Sequence, residues 1–397
     1  MKVQIGEVDL RQPVHSCYVD RRFQRVTLLV RWGGIPIGMV NFPVGGGDRV
    51  VTPGQLSSAI GQVLGYRIWE LKVSGEFFDL TAGSKPPISV IVCSRDRPLS
   101  LAQCLDSIKR IDYPEFEVIV VDNASRADST REVVLRAGFH YLREDRAGLN
   151  WARNCGVRAS RYPIVAFIDD DALASPGWLA GFARAFQDPS VIVATGLVMP
   201  SELETAAQQA FEEYGGMGKG FEGFTVRPED LSRQALFWAS SWGVGANMAF
   251  RREIFDKIGM FDVALDVGTP TGGGGDIEFF YRALDSGFAL RYEPCAYVWH
   301  RHRRTMSALR KQIYFNGRSF PAYLLTILHN DPRKVWAVTW FGLRGWLWGW
   351  LGKQLLKGLI QRNSRVIQFA FLEMKGALTS LPAYRAARSK ASRLQAS

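Results

Sequence analysis

Between residues 88 and 171 apolar runs alternate with amphipathic stretches. "ISVIVCS", from Ile88, is a short continuous apolar run, the mark of a parallel strand buried on both faces. "LSLAQCLDSIKRI" predicts an amphipathic helix, and "FEVIVVDNAS" a second strand ending in polar residues. "STREVVLRAG" predicts a helix closed by Gly138, "FHYLRED" a short strand, "GLNWARNCGVRAS" a helix and "PIVAFIDDD" a further strand. Strands alternating with helices imply βαβ units and a mostly parallel central sheet with right-handed crossovers. In such sheets ligands bind beyond the carboxyl ends of the strands. Ser94-Arg95-Asp96, Asp122-Asn123 and Asp169-Asp170-Asp171 all fall at that edge, and their convergence marks a candidate site.

The flanks read differently. In residues 1–83, "RVTLLVRW" and "IPIGMVNFPV" predict strands around the turn Gly33-Gly34, and Gly45-Gly46-Gly47 breaks the pattern. "GQLSSAIGQVLGYRIWEL" has helical spacing, and "TAGSKPP" reads as a linker closing a small β-rich α+β domain. Beyond residue 200, "EEYGGMGKGFEGF" reads as a mobile loop. "WGVGANMAFRREIFDKIGMFD" predicts a strand and then a helix. "GTPTGGGGDIEFFYRALDSGFALRYEPCAYVWHRHRR" combines a glycine run, a helix, a strand and a histidine cluster. Residues 321–397 form a helical, basic extension whose stretch 334–360 holds five of the chain's twelve tryptophans. Arg344 and several glycines interrupt that stretch, which argues against a membrane span of roughly 20 apolar residues. Three readings stay open for it: an interfacial helix on an anionic membrane, packing within the chain or in a homodimer, and an aromatic platform for a sugar acceptor.

Composition narrows the partners. Of 397 residues 47% are hydrophobic and 22% charged, as in a globular protein. A net charge of +11 suggests an anionic partner: nucleic acid, acidic lipid or a phosphorylated substrate. No basic-aromatic recognition motif accompanies that charge, which sets nucleic acid aside. Five cysteines without paired spacing predict reduced thiols and a cytoplasmic protein, peripheral on the inner face of the membrane if the tryptophan stretch binds lipid. "MKVQIGEVDLRQP" has no apolar h-region, so no secretory signal is expected.

Aspartates at a strand end either cap the next helix or hold a cation. Asp171 or Ser175 would serve as caps before "PGWLAGFARAF". One residue suffices for that, and three in succession are better explained as hard oxygen ligands for Mg²⁺ or Mn²⁺ bridging substrate phosphates.

"ISVIVCSRDRP", "VIVVDNAS", "GLNWARNCGV", "FIDDDA", "GVGANMAFRR", "GGGGDIEFFYRAL" and "YEPCAYVWHRHR" occur in the order and spacing of family-2 glycosyltransferases. The resemblance covers about residues 86–320. It implies an inverting enzyme of the glycosyltransferase-A fold that moves a single sugar from a nucleoside-diphosphate sugar, UDP- or dTDP-linked, to an acceptor hydroxyl. It also implies that Ser94, Arg95 and Asp122 hold the base and ribose, that Arg153 and Asn154 line the donor pocket, and that Asp169 and Asp170 face ribose and sugar. Asp171 and His300 would ligate the metal, with His302 as the alternative to His300. Asp276 would be the general base, and Trp242, Asn247, Gly274 and Gly275 would lie on the acceptor side. Inversion in one displacement needs one such base, whereas retaining hydrolysis wants two carboxylates flanking the bond.

Simpler roles compete: an Asx turn for Asp122, a helix N-cap for Asp276, a surface helix position for Arg153 and a solvated basic segment around His300. The chain also departs from the family pattern. Gly275 stands where the usual Glu-Asp pair has its glutamate, and the Gln-x-x-Arg-Trp motif of processive synthases is missing. Gly272–Gly275 is expected to order over bound donor. A sugar nucleotidyltransferase would want a glycine-rich phosphate loop, which "CSRDRP" does not provide. A catalytically weak scaffold subunit is the non-enzymatic alternative.

Overall fold

A computed structural model describes residues 2–44, 49–77, 80 and 83–396. The triplet Gly45–Gly47 and linker residues 81 and 82 lie outside them. The chain opens with β1 (Val3–Asp9), β2 (Cys17–Tyr18), β3 (Arg25–Trp32), β4 (Ile35–Pro43), β5 (Val50–Val51) and α1 (Pro53–Val73). β3 and β4 form the expected hairpin, and Gly33 supplies its turn at φ +59°, where a side chain would be strained. β1 adds to β3 in parallel. Thr52 and Gln55 build the capping box that starts α1. Leu28, Val30, Ile37, Leu56 and Ile60 fill a core belonging to this segment. Trp299 donates to Glu7, and the Val3 amide to the Leu203 carbonyl, fastening it to the rest.

Strands β6 (Ile88–Ser94), β7 (Phe116–Asn123), β8 (His140–Glu144) and β9 (Ile164–Asp169) alternate with α2 (Pro98–Ile108), α3 (Ser129–Ala137) and α4 (Leu149–Ala159). These strands are parallel in the order β8-β7-β6-β9. Beyond β9 the sheet continues with β10 (Ala172–Ala174), β11 (Val191–Pro200), β12 (Phe224–Val226), β13 (Asn247–Arg251) and β14 (Ala289–His300). β13 runs antiparallel to both β9 and β11, so the sheet is mixed. The helices between them are α5 (Trp178–Ala185), α6 (Ala206–Tyr214), α7 (Arg233–Leu236), α8 (Ile254–Ile258) and α9 (Gly275–Asp285).

The continuous apolar run of β6 is divided by the pleat. Val90 and Val92 enter one core with Leu101 and Trp178, while Ile91 enters the other with Phe167 and Phe250. Burial on both faces is why no alternation is visible in the sequence. The glycine-rich segment after α6 is pinned to β14 by the Tyr292 hydroxyl, which donates to the Gly220 carbonyl.

The chain ends in α10 (Met306–Asn330), α11 (Val335–Trp340), a π-helical stretch Phe341–Gly352, α12 (Lys353–Ile360), α13 (Ser364–Leu378) and α14 (Ser380–Ala396). Among the described residues no helix is long and apolar enough to cross a membrane. α10 and α13 touch backbone to backbone: a Cβ on Gly317 would stand 2.1 Å from the Glu373 carbonyl oxygen, and one on Gly376 2.1 Å from that of Tyr314. Beside this crossing the Glu373 carboxyl is buried and accepts from the Tyr214 hydroxyl (2.9 Å) and the Trp350 indole (2.8 Å).

Burial pushes Glu373 up to about 7, against the two hydrogen bonds that favour its charged form. The folded chain therefore holds a proton that the unfolded chain releases near pH 4.5. The resulting stabilisation is fully present below that pH and is lost as pH rises through 7, with a ceiling of about 3 kcal/mol. Denaturant unfolding of wild type and Glu373→Gln between pH 4.5 and 8 checks this: the variant's stability should lack the fall across that window.

Candidate active site

Register brings the polar clusters together. β6 lies between β7 and β9, with Ser94 opposite Asp122 and Cys93 opposite Asp169. β10 begins immediately after the third aspartate and pairs with the end of β14, so that Ala172 faces His300. The Arg301 amide donates to the Asp171 carbonyl (2.9 Å), which locks the two segments side by side. Asp171 and His300, distant in sequence, thereby meet at 3.1 Å (Oδ1 to Nε2).

Asp169, Asp171 and His300 each turn one ligand atom into a space where all lie within 4.8 Å of one another. The imidazole is aimed from behind: its Nδ1 lies 3.0 Å from Nδ1 of His302, whose Nε2 lies 2.8 Å from Glu212 on α6. Two carboxylates and an imidazole whose other ring nitrogen is held fit a divalent cation. His302 stands behind His300, between it and Glu212.

The electrostatics separate the aspartates. Burial, with the nearby Asp171 charge, pushes Asp169 up to about 6. Burial would raise Asp171 too, but the hydrogen bond and charge of His300, with Arg97 and Arg303, hold it below the usual carboxylate range. Asp170 turns the other way, accepting from the Ser94 hydroxyl (2.7 Å) and from Arg97 (3.0 Å). Arg97 also bonds Asp171 (3.0 Å), and Arg303 lies 3.5 Å from it. Both guanidiniums remain part-exposed at the sheet edge.

A second group surrounds Asp276, which opens α9 and accepts from the Gly245 amide (2.6 Å). The buried Arg153 guanidinium is stabilised by the charges of Asp266, Asp276 and Asp169. It also donates to Asp266 and to Asn150. Burial pushes Asp266 up to about 6, against the pull of Arg153. Lys219 approaches from the glycine-rich segment, and burial lowers its ammonium, opposed by Asp276. Gly275 is explained by crowding: a Cβ there would stand 2.1 Å from Asn150 Nδ2 and 2.8 Å from Asp266 Oδ2. Where the expected pattern has glutamate, this chain brings a carboxylate from residue 266.

The remaining expected residues lie around these two groups. Asn154 is buried and exchanges hydrogen bonds with the Phe261 backbone. Asn247 is wholly buried, accepts from the Trp178 indole and donates to the Leu197 and Ala296 carbonyls, so its side chain faces no cleft. Trp242 is buried, and its carbonyl accepts from Thr195. Asp122 forms an Asx turn, accepting from the Ser125 amide (3.1 Å), while its other oxygen takes the Tyr141 hydroxyl and Arg143. Arg95 is part-exposed beside Asp96 (3.9 Å). Gly272 and Gly274 adopt φ of +77° and +97° against Phe315 and Ser319 on α10.

The sequence alone does not assign Arg97, Arg303, Glu212, Asp266 or Lys219; the run of three aspartates suggests Asp169 as an oxygen ligand, while the resemblance turns it to the ribose and sugar. Arg97 and Arg303 stood inside quoted motifs, "CSRDRP" and "HRHRR". Nothing local marks Asp266 or Glu212.

Residues 89–259 match the family model for glycosyl transferase family 2. That segment is similar to the family-2 glycosyltransferase domain. Its central sheet with flanking helices is the glycosyltransferase-A arrangement. The chain is 25% identical over 265 residues to the pre-mycofactocin glycosyltransferase of Mycobacterium tuberculosis, covering 66% of this chain and 52% of that protein. It is 24% identical to glycosyltransferase AglE of Haloferax volcanii (66% and 82% covered) and 27% identical to the validoxylamine A glucosyltransferase of Streptomyces hygroscopicus (66% and 65%). The chain spans about half the length of the first of these relatives. A solved mannosyltransferase of Pyrobaculum calidifontis, in complex with GDP-Man and Mn²⁺, aligns over 86% of this chain and 95% of its own at 18% identity and TM-score 0.48.

The Arg153–Asp266 pair generates a stability prediction. Arg153→Leu strands buried carboxylates and should cost about 3–5 kcal/mol in denaturant unfolding. Adding Asp266→Asn should restore part of that loss, because it removes one stranded charge.

Proposed function

We propose that this chain transfers a single sugar, with inversion, from a nucleoside-diphosphate sugar to an acceptor hydroxyl in a divalent-metal-dependent reaction. The meeting of Asp169, Asp171 and His300 at the carboxyl edge of the sheet carries the reading. On this reading residues 86–320 form the catalytic domain, residues 1–83 a small accessory domain and residues 321–397 a helical extension.

Asp169, Asp171 and His300 would hold Mn²⁺ or Mg²⁺, which when bound supplies Lewis-acid neutralisation of the departing diphosphate. Arg97 and Arg303 stand beside these ligands with part of their surface free, and a phosphate oxygen is a partner they can take in bidentate fashion. Ser94, Arg95 and the Asx turn at Asp122 shape the nucleotide end, and the base is read as uridine or thymidine. Asp276 removes the proton from the acceptor hydroxyl as the new glycosidic bond forms and the sugar–phosphate bond breaks. The Gly245 amide engages only one of its oxygens, Oδ2. Arg153 and Asp266 keep Asp276 in place, and Lys219 borders the acceptor side with Gly274 and Gly275.

Release of nucleoside diphosphate from UDP-, dTDP- and GDP-sugars, with and without Mn²⁺, identifies the donor. Asp276→Asn should keep donor binding by calorimetry while transfer falls about 10²–10⁴-fold. Asp171→Ala should instead weaken Mn²⁺-dependent donor binding. Near wild-type turnover in Asp276→Asn would remove the base from the proposal, and donor binding indifferent to Mn²⁺ would remove the metal.

A further inference from the structure

The tryptophan stretch divides into two faces. Trp346 stacks on Phe320 (5.9 Å between centroids), and Trp350 donates to Glu373. Val338, Phe341 and Leu351 are buried on the same side. The outward side of this continuous helix, residues 335–360, is also apolar. Trp336 and Trp348 are 83% and 77% exposed, and Trp340, Leu343, Leu356 and Ile360 are exposed with them. Their spacing of three to five residues, continued through Gly352, makes a stripe that runs roughly 40 Å at 1.5 Å per residue. A helix lying on a globular protein ordinarily turns polar residues outward, whereas this one is apolar on both sides.

Charge selects the occupant. From Pro332 to Leu372 there is no Asp or Glu, against seven Lys and Arg. Arg344, Lys353 and Arg362 are exposed beside the stripe, and the Arg344 guanidinium lies 5.6 Å from the Trp340 ring centroid. A two-fold contact with a second copy would bring this basic face against itself. Tryptophan flanked by lysine and arginine is instead the composition that settles at the boundary between headgroups and acyl chains. No described helix is long and apolar enough to cross, so the stripe lies in the plane of the interface.

We propose that the outer face of residues 335–360 binds the surface of an anionic lipid bilayer. The attachment is peripheral: the aromatic stripe enters the interface, and the basic residues take the negative surface potential. This proposal stands apart from the catalytic reading, because none of the stripe residues belongs to the candidate active site.

The test is flotation of the full chain with vesicles of phosphatidylcholine alone and of phosphatidylcholine with phosphatidylglycerol, alongside light scattering to read the oligomeric state. Wild type should float with the anionic vesicles, and added salt should reduce the bound fraction. Trp336→Ser/Trp340→Ser/Trp348→Ser should cut partitioning about tenfold or more, with an unchanged unfolding midpoint because these side chains face solvent. Arg344→Glu/Lys353→Glu retains the aromatic stripe and should lose the preference for the anionic vesicles. Wild type that stays with the unbound fraction, or a triple variant that floats as wild type does, overturns the proposal. A wild-type dimer that fails to float and that the triple variant converts to monomer assigns the face to a second copy and overturns it as well.

Discussion

The buried guanidinium of Arg153 is the interaction on which the candidate site depends. Asp169 arrives from a strand end, Asp266 from a loop and Asp276 from a helix start, and each contributes charge to the same cation. Without it the carboxylates would be desolvated and mutually repulsive, a state the chain could relieve only by protonating them or by opening. Arg153 itself comes from α4, the crossover helix between β8 and β9. The βαβ geometry that makes the sheet thus also delivers the counter-charge to its edge. The aspartates that look costly in the sequence are distributed among partners: Asp170 to Ser94 and Arg97, Asp171 to His300 and two arginines.

Much of this was legible before the structure, for a physical reason. Parallel strands buried on both faces appear as apolar runs, as β6 does, and the helices between β6, β7 and β9 complete the alternation. The polar residues that end them had to fall on one edge, so Ser94, Asp122 and Asp169 were placed together by pattern alone. What could not be read depends on register. Only the pairing of β10 with β14 shows that His300 reaches Asp171 and that His302 stands behind it. Asn154 and Asn247 matched motifs, yet a motif records position in the chain and not the direction of a side chain. Both amides are committed to carbonyls and amides of the scaffold. The tryptophan stretch was ambiguous for a related reason. Its aromatic residues occupy both sides of one helix, and only packing tells Trp346 and Trp350 from Trp336 and Trp348.

The C-terminal helices are more than a cover. α6 presents Glu212 to the histidine pair and, two residues on, Tyr214 to Glu373, which also holds Trp350. One short helix therefore touches both the histidine behind the Asp169–Asp171–His300 cluster and the helix that carries the outer aromatic stripe. The backbone contact at Gly317 and Gly376 keeps α13, and with it Glu373, at a set distance from α10. Position of the surface helix and aim of the imidazole are joined through side chains of ordinary length.

The glycine at 275 ties three positions together. No Cβ fits there while Asn150 and Asp266 keep their places, and any glutamate would meet both. A glutamate at 275 would require Asn150, held by Asp262 and Arg153, or Asp266, held by Arg153, to shift or be replaced. Position 275 is thus coupled to its two neighbours, and a designed side chain there calls for Asn150, Asp266 or both to be changed with it.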